Sequence, residues 1–204
     1  EDTGLIVPIS EWVLREACLR VREWQQRSGR LLRIAVNLSP RHLQAGTVVS
    51  AVRRALDISG LQASCLELEV TERLVLRADQ RVTEQLEELR DVGVRLAMDD
   101  FGTGYSALST LKRHRFDALK IDREFVQGAP HNEEDLTLTA GITAMARSLG
   151  MDVVGEGVEN EAQAATLRSL GCDMVQGYLY GHPVSAEDFL EIAIQAGASV
   201  AVRR

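Results

Sequence analysis

The chain has 204 residues, of which 45% are hydrophobic and 26% charged, and this composition suits one globular domain over residues 1–204. Its formal net charge of −7 and isoelectric point near 5.2 argue against a general binding surface for duplex nucleic acid. No run approaches the ~20 apolar residues of a membrane span, and the three scattered cysteines favour reduced thiols. A cytoplasmic domain is therefore expected.

The first half of the chain is predicted to alternate helices with strands. Apolar residues at helical spacing, with Ser10 as the N-cap, predict a helix that ends near Ser28. Further elements are predicted as strands over residues 33–38 and 65–70 and as helices over residues 48–56 and 78–91. In the second strand, alternation places Glu69 on the face opposite Leu68.

The segment 95–122 carries the strongest signal for a functional site. A short apolar strand is expected to end at Asp99 and Asp100, because the glycines that follow suit a tight loop. A helix is predicted over residues 105–111, and a strand near residue 120 turns Lys120 and Asp122 to one face. A lysine on an inner strand face is costly to bury alone, so the two aspartates are candidate partners. A purely structural ion pair is the alternative.

The second half of the chain continues the alternation of strands and helices. A polar loop is expected up to residue 135, and Asn160 and Ser185 are expected to cap helices. The remaining elements are predicted as helices over residues 136–149, 161–170 and 186–196 and as strands over residues 151–154 and 173–177.

Six strand and helix pairs in strict order predict an α/β fold with a parallel sheet. Polar residues stand at or just past the carboxyl ends of the six strands: Asn37, Glu69, Asp99 with Asp100, Lys120, Glu156 and Gln176. An open sheet would spread these ends over ~24 Å, whereas a barrel gathers them on one face. We therefore predict a TIM-like (β/α) barrel. Such barrels have eight strands, so at least one N-terminal strand is expected to be missing from these 204 residues.

The predicted site offers carboxylate and amide oxygens, which suit Mg²⁺, Mn²⁺ or Ca²⁺ better than zinc. Two consecutive aspartates could bind two ions, one of them bridging, and such pairs activate water for attack at phosphorus. Lys120 could hold the attacking water, and Glu156 could accept a proton or complete the second ion's shell.

Each of these residues also has a structural interpretation. Asn37 before Leu-Ser-Pro could simply form a turn, and Glu72 and Glu159 could support neighbouring loops. A glycine motif beginning at Gly102 matches a dinucleotide-binding fingerprint, but the two preceding aspartates would repel a pyrophosphate. The four histidines lack ligand spacing and are assigned to the surface: His42, His114, His131 and His182.

Six segments of the sequence resemble the EAL-domain phosphodiesterases, which hydrolyse the bacterial second messenger cyclic di-GMP. They occur in the family's order and spacing: VNLSP from Val36, ELEVTE from Glu67, DDFGTGYSAL from Asp99, LKIDREFV from Leu119, VVGEGVE from Val153 and QGYLYGHP from Gln176. The resemblance implies an incomplete barrel with one reversed strand. It also implies hydrolysis to linear pGpG with two Mg²⁺ or Mn²⁺ ions, and inhibition by Ca²⁺.

The resemblance also implies roles for individual residues. Asn37, Glu69 and Asp99 would bind the first ion and Asp99 and Asp100 the second. Lys120, Glu156 and Gln176 would be the catalytic residues: Lys120 and Glu156 would handle the water, Glu156 would also be a metal ligand, and Gln176 would lie near the water and metals. The remaining roles are loop support by Glu72, which would hold residues 101–108, and by Glu159, and substrate binding by Asp122 and Pro183. A homodimer and an upstream sensor or cyclase domain are implied as partners.

One departure from the family is that the Glu-Ala-Leu tripeptide is absent, although its glutamate is a ligand of the first ion. The segment from Glu1 to Leu5 resembles one that ordinarily lies shortly downstream of the tripeptide. We expect that the 204 residues start late, because every other motif position is intact. The alternative to a late start is a phosphodiesterase fragment with a weakened metal site. The alternatives to a phosphodiesterase are a non-catalytic cyclic di-GMP receptor and a structural domain with acid-lined strand ends.

Overall fold

The structure, a computed structural model, describes residues 5–76, 78–102, 111 and 114–195. Its described strands form one six-stranded sheet in chain order, and each neighbouring pair is parallel. The strands are β1 (Ile34–Asn37), β2 (Leu66–Thr71), β3 (Arg95–Phe101), β4 (Ala118–Ile121), β5 (Asp152–Gly155) and β6 (Met174–Val175). The predicted strand order is confirmed.

Helices connect successive strands and cover the outer face of the sheet. They are α1 (Ile6–Ser28), α2 (Pro40–Ala45), α3 (Val48–Ser59), α4 (Glu72–Leu76), α5 (Gln80–Val92), α6 (Arg123–Gly128), α7 (Glu133–Ser148), α8 (Glu161–Leu170) and α9 (Ala186–Gln195), with a short 3-10 turn at Ala63–Cys65. Among the described helices, none has the combination of length and apolar character that a membrane crossing needs.

Alternation along the strands separates the hydrophobic core from the site. Leu66, Leu68 and Val70 on β2 are fully buried, and so are Leu96, Met98, Leu119 and Ile121 on the next two strands. Successive side chains of a strand point to opposite faces, so the residues between them turn to the other side of the sheet. Glu69, Asp99 and Lys120 belong to that second set, which places all three on the inner, concave side.

The sheet has two free edges among the described strands. β1 pairs only with β2, and β6 pairs only with β5. This open arrangement, with helices outside and polar residues inside, is a TIM-like partial barrel and confirms the predicted fold class. All described pairings are parallel, so the reversed strand that the resemblance implied is not among them.

Several predicted boundaries are wrong for physical reasons. The helix α1 starts at Ile6, so Ser10 lies inside it and caps nothing. The predicted loop up to residue 135 contains α6, which Asp122 caps by accepting the amide proton of Glu124 at 2.8 Å. The short helix α4 was also missed, since five residues are too few to show a period. The helix predicted over residues 105–111 lies, apart from Leu111, outside the described residues.

His42 and His114 are buried, with 0% and 4% exposure, so their assignment to the surface is wrong. His131 and His182 are exposed, as predicted.

His42 lies on α2, where α1 and α3 cover it, and neither ring nitrogen has a hydrogen-bond partner among the described residues. The nearest charge is Glu11 on α1, 4.0 Å from Nε2, and Glu11 also contacts Arg54 on α3. Burial lowers the pKa of His42, and the attraction of Glu11 offsets this only in part.

The burial of His42 predicts a pH dependence of stability. The unfolded chain protonates His42 near its ordinary pKa of 6.5, whereas the folded chain does so only at lower pH. The free energy of unfolding should therefore fall by up to ~1.4 kcal/mol per pH unit as the pH drops below that value. His42→Leu should reduce this fall, as measured by urea unfolding at about pH 7.5 and about pH 5.5. The exposed control His131→Leu should leave it unchanged, and equal slopes in both variants would contradict the prediction.

Candidate active site

Asp99 and Asp100 lie at the carboxyl end of β3, as predicted, and the strand continues one residue beyond them to Phe101. A regular strand would turn these consecutive side chains to opposite faces. The register to β4 shifts here, because Met98 pairs with Leu119 and Phe101 with Ile121, so three steps along β3 match two along β4. Asp100 takes a φ of 55°, in the left-handed region that aspartate tolerates better than most residues. This bulge allows both aspartates to serve one site.

Three carboxylates form a cluster suited to a metal ion. Asp99, Asp100 and Glu156 each offer one oxygen, and these oxygens lie within 4.8 Å of one another. Glu156 directly follows β5, and its amide donates to the carbonyl of Ile121 at 3.1 Å, which fixes the residue beside β4. The cluster therefore sits at the carboxyl ends of β3 and β5, on either side of β4, as predicted.

Lys120 is the cation of this cluster. Its Nζ lies 2.6 Å from Oε1 of Glu69, 2.7 Å from Oε1 of Glu156 and 3.1 Å from Oδ1 of Asp99. Lys120 is 5% exposed and Asp99 8%, so the contacts form largely away from water. The predicted pairing of a buried lysine with Asp99 is observed, and Glu69 and Glu156 are further partners that the local sequence did not reveal.

Burial and charge shift the titration of this cluster. Burial raises the pKa of Glu69 and of Glu156, and hydrogen bonds from Lys120 oppose the rise without cancelling it. Burial also raises the pKa of Asp100, and the charge of Asp99 adds to the increase. For Lys120, burial acts to lower the pKa, but the hydrogen bonds to Glu156 and Glu69 dominate and raise it. The lysine therefore remains charged among acids that repel one another.

A cavity of about 290 Å³ opens beside the carboxylate cluster. It is lined by Asp100, Asp122, Arg123, Glu156, Gly157, Glu159, Gln176, Gly177 and Tyr178. Four of the predicted site residues outside the aspartate pair thus share one cavity: Asp122, Glu156, Glu159 and Gln176. Arg123 and Tyr178 were missed, although each stands within two residues of a predicted one. The Tyr178 ring stacks on His182 with 4.4 Å between centroids.

The remaining predicted site residues lie outside the group formed by Asp99, Asp100, Glu156 and Lys120. Asn37 ends β1 and is in register with Glu69 on β2, and β3 lies between β2 and the strand that carries Lys120. Glu72 is 2% exposed, and its Oε2 accepts the amide proton of Gly102 at 3.1 Å. Glu159 accepts a hydrogen bond from Gln127 at 3.3 Å. Pro183 is exposed and is not among the described residues that line the cavity.

The donor set fits a hard divalent cation. Mg²⁺ and Mn²⁺ prefer oxygen ligands, and the cluster supplies carboxylates without thiolate or imidazole among its described members. Lys120 already neutralises part of the negative charge of Asp99 and Glu156. The acids of raised pKa would be stabilised in their charged form by a bound cation. Asp99, Asp100 and Glu156 are accordingly the residues of this chain best placed to hold one.

The fold and the cluster define the class: a parallel α/β partial barrel with an acidic, metal-suited site at its strand ends. The chain belongs to the EAL domain family, whose model matches residues 1–183. This confirms the resemblance that the six sequence segments showed.

Two curated relatives come from Pseudomonas aeruginosa. The bifunctional diguanylate cyclase/cyclic di-GMP phosphodiesterase MucR is 45% identical over 190 residues, which cover 93% of this chain and 28% of MucR. The cyclic di-GMP phosphodiesterase NbdA is 43% identical over 193 residues, which cover 93% of this chain and 25% of NbdA. The chain thus spans about a quarter of the length of the curated relatives it matches.

Solved structures support the fold and show which ligands such proteins have bound. The PaMucR phosphodiesterase in complex with c-di-GMP superposes with a TM-score of 0.88 at 44% identity, covering 93% of this chain and 76% of that one. Klebsiella pneumoniae BlrP1 in a manganese and cyclic di-GMP complex superposes with a TM-score of 0.75 at 29% identity, covering 87% and 45%. BlrP1 has also been solved with calcium and cyclic di-GMP.

Proposed function

We propose that this domain is a metal-dependent phosphodiesterase that hydrolyses cyclic di-GMP to linear pGpG. The observation that carries the proposal is the buried cluster in which Lys120 contacts Glu69, Asp99 and Glu156 beside the 290 Å³ cavity. A structural ion pair alone would not need two aspartates brought together by a strained bulge. The relatives' activities and ligands agree with this chemistry.

The roles are those that the resemblance to the EAL-domain phosphodiesterases implies, and the contacts of Lys120 with Glu69, Asp99 and Glu156 support them. Two bound Mg²⁺ or Mn²⁺ ions would polarise the phosphoryl oxygens and acidify the attacking water. Asn37, Glu69 and Asp99 would hold one ion and Asp99 with Asp100 the other, so Asp99 would be shared.

The remaining groups would act on the water and the substrate. Lys120, held charged by its three carboxylates, would orient the nucleophile and stabilise negative charge as it develops on the phosphate. Glu156 has a raised pKa, which suits a group that accepts a proton from water and could also ligate the second ion. Gln176 would orient the water by hydrogen bonding, and Asp122 and Pro183 would contact the substrate away from the reacting phosphate.

A direct assay tests the proposal. The chain is incubated with cyclic di-GMP and Mn²⁺, Mg²⁺ or EDTA, and pGpG is separated by chromatography. Turnover with Mn²⁺ or Mg²⁺ that disappears in EDTA is the expected result, and Ca²⁺ is expected to inhibit. Binding of cyclic di-GMP without turnover under any of these conditions would instead support the non-catalytic receptor. We further propose that the domain acts as a homodimer downstream of a sensor or cyclase domain.

Glu72 is predicted to support activity through the backbone at the end of β3. Glu72→Ala leaves the amide of Gly102 without its carboxylate acceptor, which should cost about 1–3 kcal/mol of stability and loosen the segment that follows Asp99 and Asp100. Hydrolysis should fall about tenfold or more. Glu72→Gln keeps an acceptor and should lose less, as measured by pGpG release. Equal losses in both variants would show that the charge of Glu72, and not its hydrogen bond, matters.

A further inference from the structure

A second cavity, of about 370 Å³, opens at the opposite end of the sheet from the carboxylate cluster. It is lined by Leu31, Arg33, Ser64, Arg90, Gly93, Val94, Arg95 and Asp117. These residues precede β1, β2, β3 or β4, begin β3 or lie in the last turn of α5. Since Asp99 and Asp100 lie four and five residues after Arg95 on β3, about 13–17 Å of strand separates this cavity from the candidate active site.

The charged groups around Arg95, at the base of the cavity, already have partners of opposite charge. Arg95 donates from Nε to Glu67 at 2.9 Å and from Nη2 to Asp152 at 2.7 Å. Asp117 accepts the amide proton of Leu96 at 2.9 Å. The three acids surround Arg95 and raise its pKa against the opposing effect of burial. Arg95 and its acids therefore need no ligand.

Two further arginines at the edge of the cavity differ from Arg95 because they lack such partners in the described part of the chain. Arg33 and Arg90 are exposed, and the side chain of neither forms a hydrogen bond or an ion pair with another described residue. Arg90 lies in the last turn of α5, where its positive charge interacts favourably with the helix dipole. That interaction accounts for Arg90 but not for Arg33 on the same cavity lining. The cavity lining carries three arginines and one aspartate, and Arg95 is already paired with Glu67 and Asp152, so Arg33 and Arg90 are the lining cations left without an acidic partner among the described residues.

We propose that this cavity binds a small phosphate-bearing anion through Arg33 and Arg90. Guanidinium groups bind phosphate oxygens in pairs, and the Ser64 hydroxyl on the same lining can donate a further hydrogen bond. The volume is near the lower end of the range for small-molecule sites, so it suits a diphosphate or a phosphorylated metabolite better than a macromolecule. The site is separate from the proposed hydrolysis and can exist whether or not the domain is a phosphodiesterase.

The test uses inorganic pyrophosphate and isothermal titration calorimetry on the 204-residue chain in EDTA. EDTA prevents divalent ions from drawing pyrophosphate to the carboxylate cluster. The double variant Arg33→Gln/Arg90→Gln should bind at least about tenfold more weakly than the unmodified chain. The matched control is Arg123→Gln, which removes an exposed arginine from the cavity beside the carboxylates and should bind normally. The single variant Arg33→Gln should bind more weakly even if the double variant folds poorly.

Two results would overturn the proposal. Loss of binding in Arg123→Gln with retention in the double variant would place pyrophosphate at the candidate active site. Absence of saturable binding by the unmodified chain would leave the two arginines as solvated surface groups. Cyclic di-GMP hydrolysis is measured separately with Mn²⁺, so failure of one proposal is distinguishable from failure of the other.

Discussion

Replacing Asp99 with asparagine is expected to lower cyclic di-GMP hydrolysis at least about 10³-fold, because it removes the negative charge of a ligand shared by two ions. Asparagine has nearly the same shape as aspartate, so the loss would come from charge and not from a cavity. Asp99 is 8% exposed and lies beside Glu69, Asp100 and Glu156, and removing one of these like charges should not unfold the domain. Initial rates of pGpG release at saturating Mn²⁺ measure the effect.

The matched control is Asp57→Asn, which makes the same chemical change at an exposed position on α3. It should keep the rate of the unmodified chain. Mn²⁺ titrations followed by thermal unfolding should show that Asp99→Asn also loses metal-dependent stabilisation. Near-normal turnover in Asp99→Asn would contradict the two-metal assignment, whatever the rate of the control variant.

The order of the elements could be predicted because each strand and helix carries its own local pattern. β2 alternates so regularly that its buried leucines and the inward Glu69 follow directly from the sequence. The convergence of Glu69, Lys120 and Glu156 could be anticipated only by assuming a parallel barrel, in which all carboxyl ends face one way. Only that topology allowed seven polar residues, scattered along the sequence, to be predicted as one candidate site.

The bulge in β3 could not be predicted in the same way. Local pattern reasoning assumes a regular strand, and this places Asp99 and Asp100 on opposite faces or outside the strand altogether. The shift depends on how β3 pairs with β4, a contact between residues distant in the chain. His42 shows the same limit, because whether a helical histidine is covered depends on how α1 and α3 pack over α2. Arg123 opens the six-residue helix α6 and Tyr178 lies in a turn, and neither segment is long enough to show a period.

Lys120→Met is expected to lower the free energy of unfolding by about 3–5 kcal/mol in EDTA. The substitution keeps an unbranched side chain but leaves Glu69, Asp99 and Glu156 buried without their cation. Hydrolysis should be lost as well, since no other charged group of the described chain contacts these three acids together. Urea unfolding of the variant and the unmodified chain measures the stability difference. The control Arg147→Met breaks the exposed pair with Asp173 and should cost less than about 1 kcal/mol.

The effect of added metal distinguishes a catalytic role of Lys120 from a purely structural ion pair. If the carboxylates bind divalent ions, saturating Mn²⁺ should stabilise Lys120→Met more than the unmodified chain, because the ions replace the missing positive charge. Activity should remain lost, since the ions do not supply the ammonium that orients the water. A variant that is destabilised in EDTA and gains nothing from Mn²⁺ would instead identify Lys120 as the centre of a structural ion pair. The same acids would then bind no ion, and the proposed hydrolysis would lose its chemical basis.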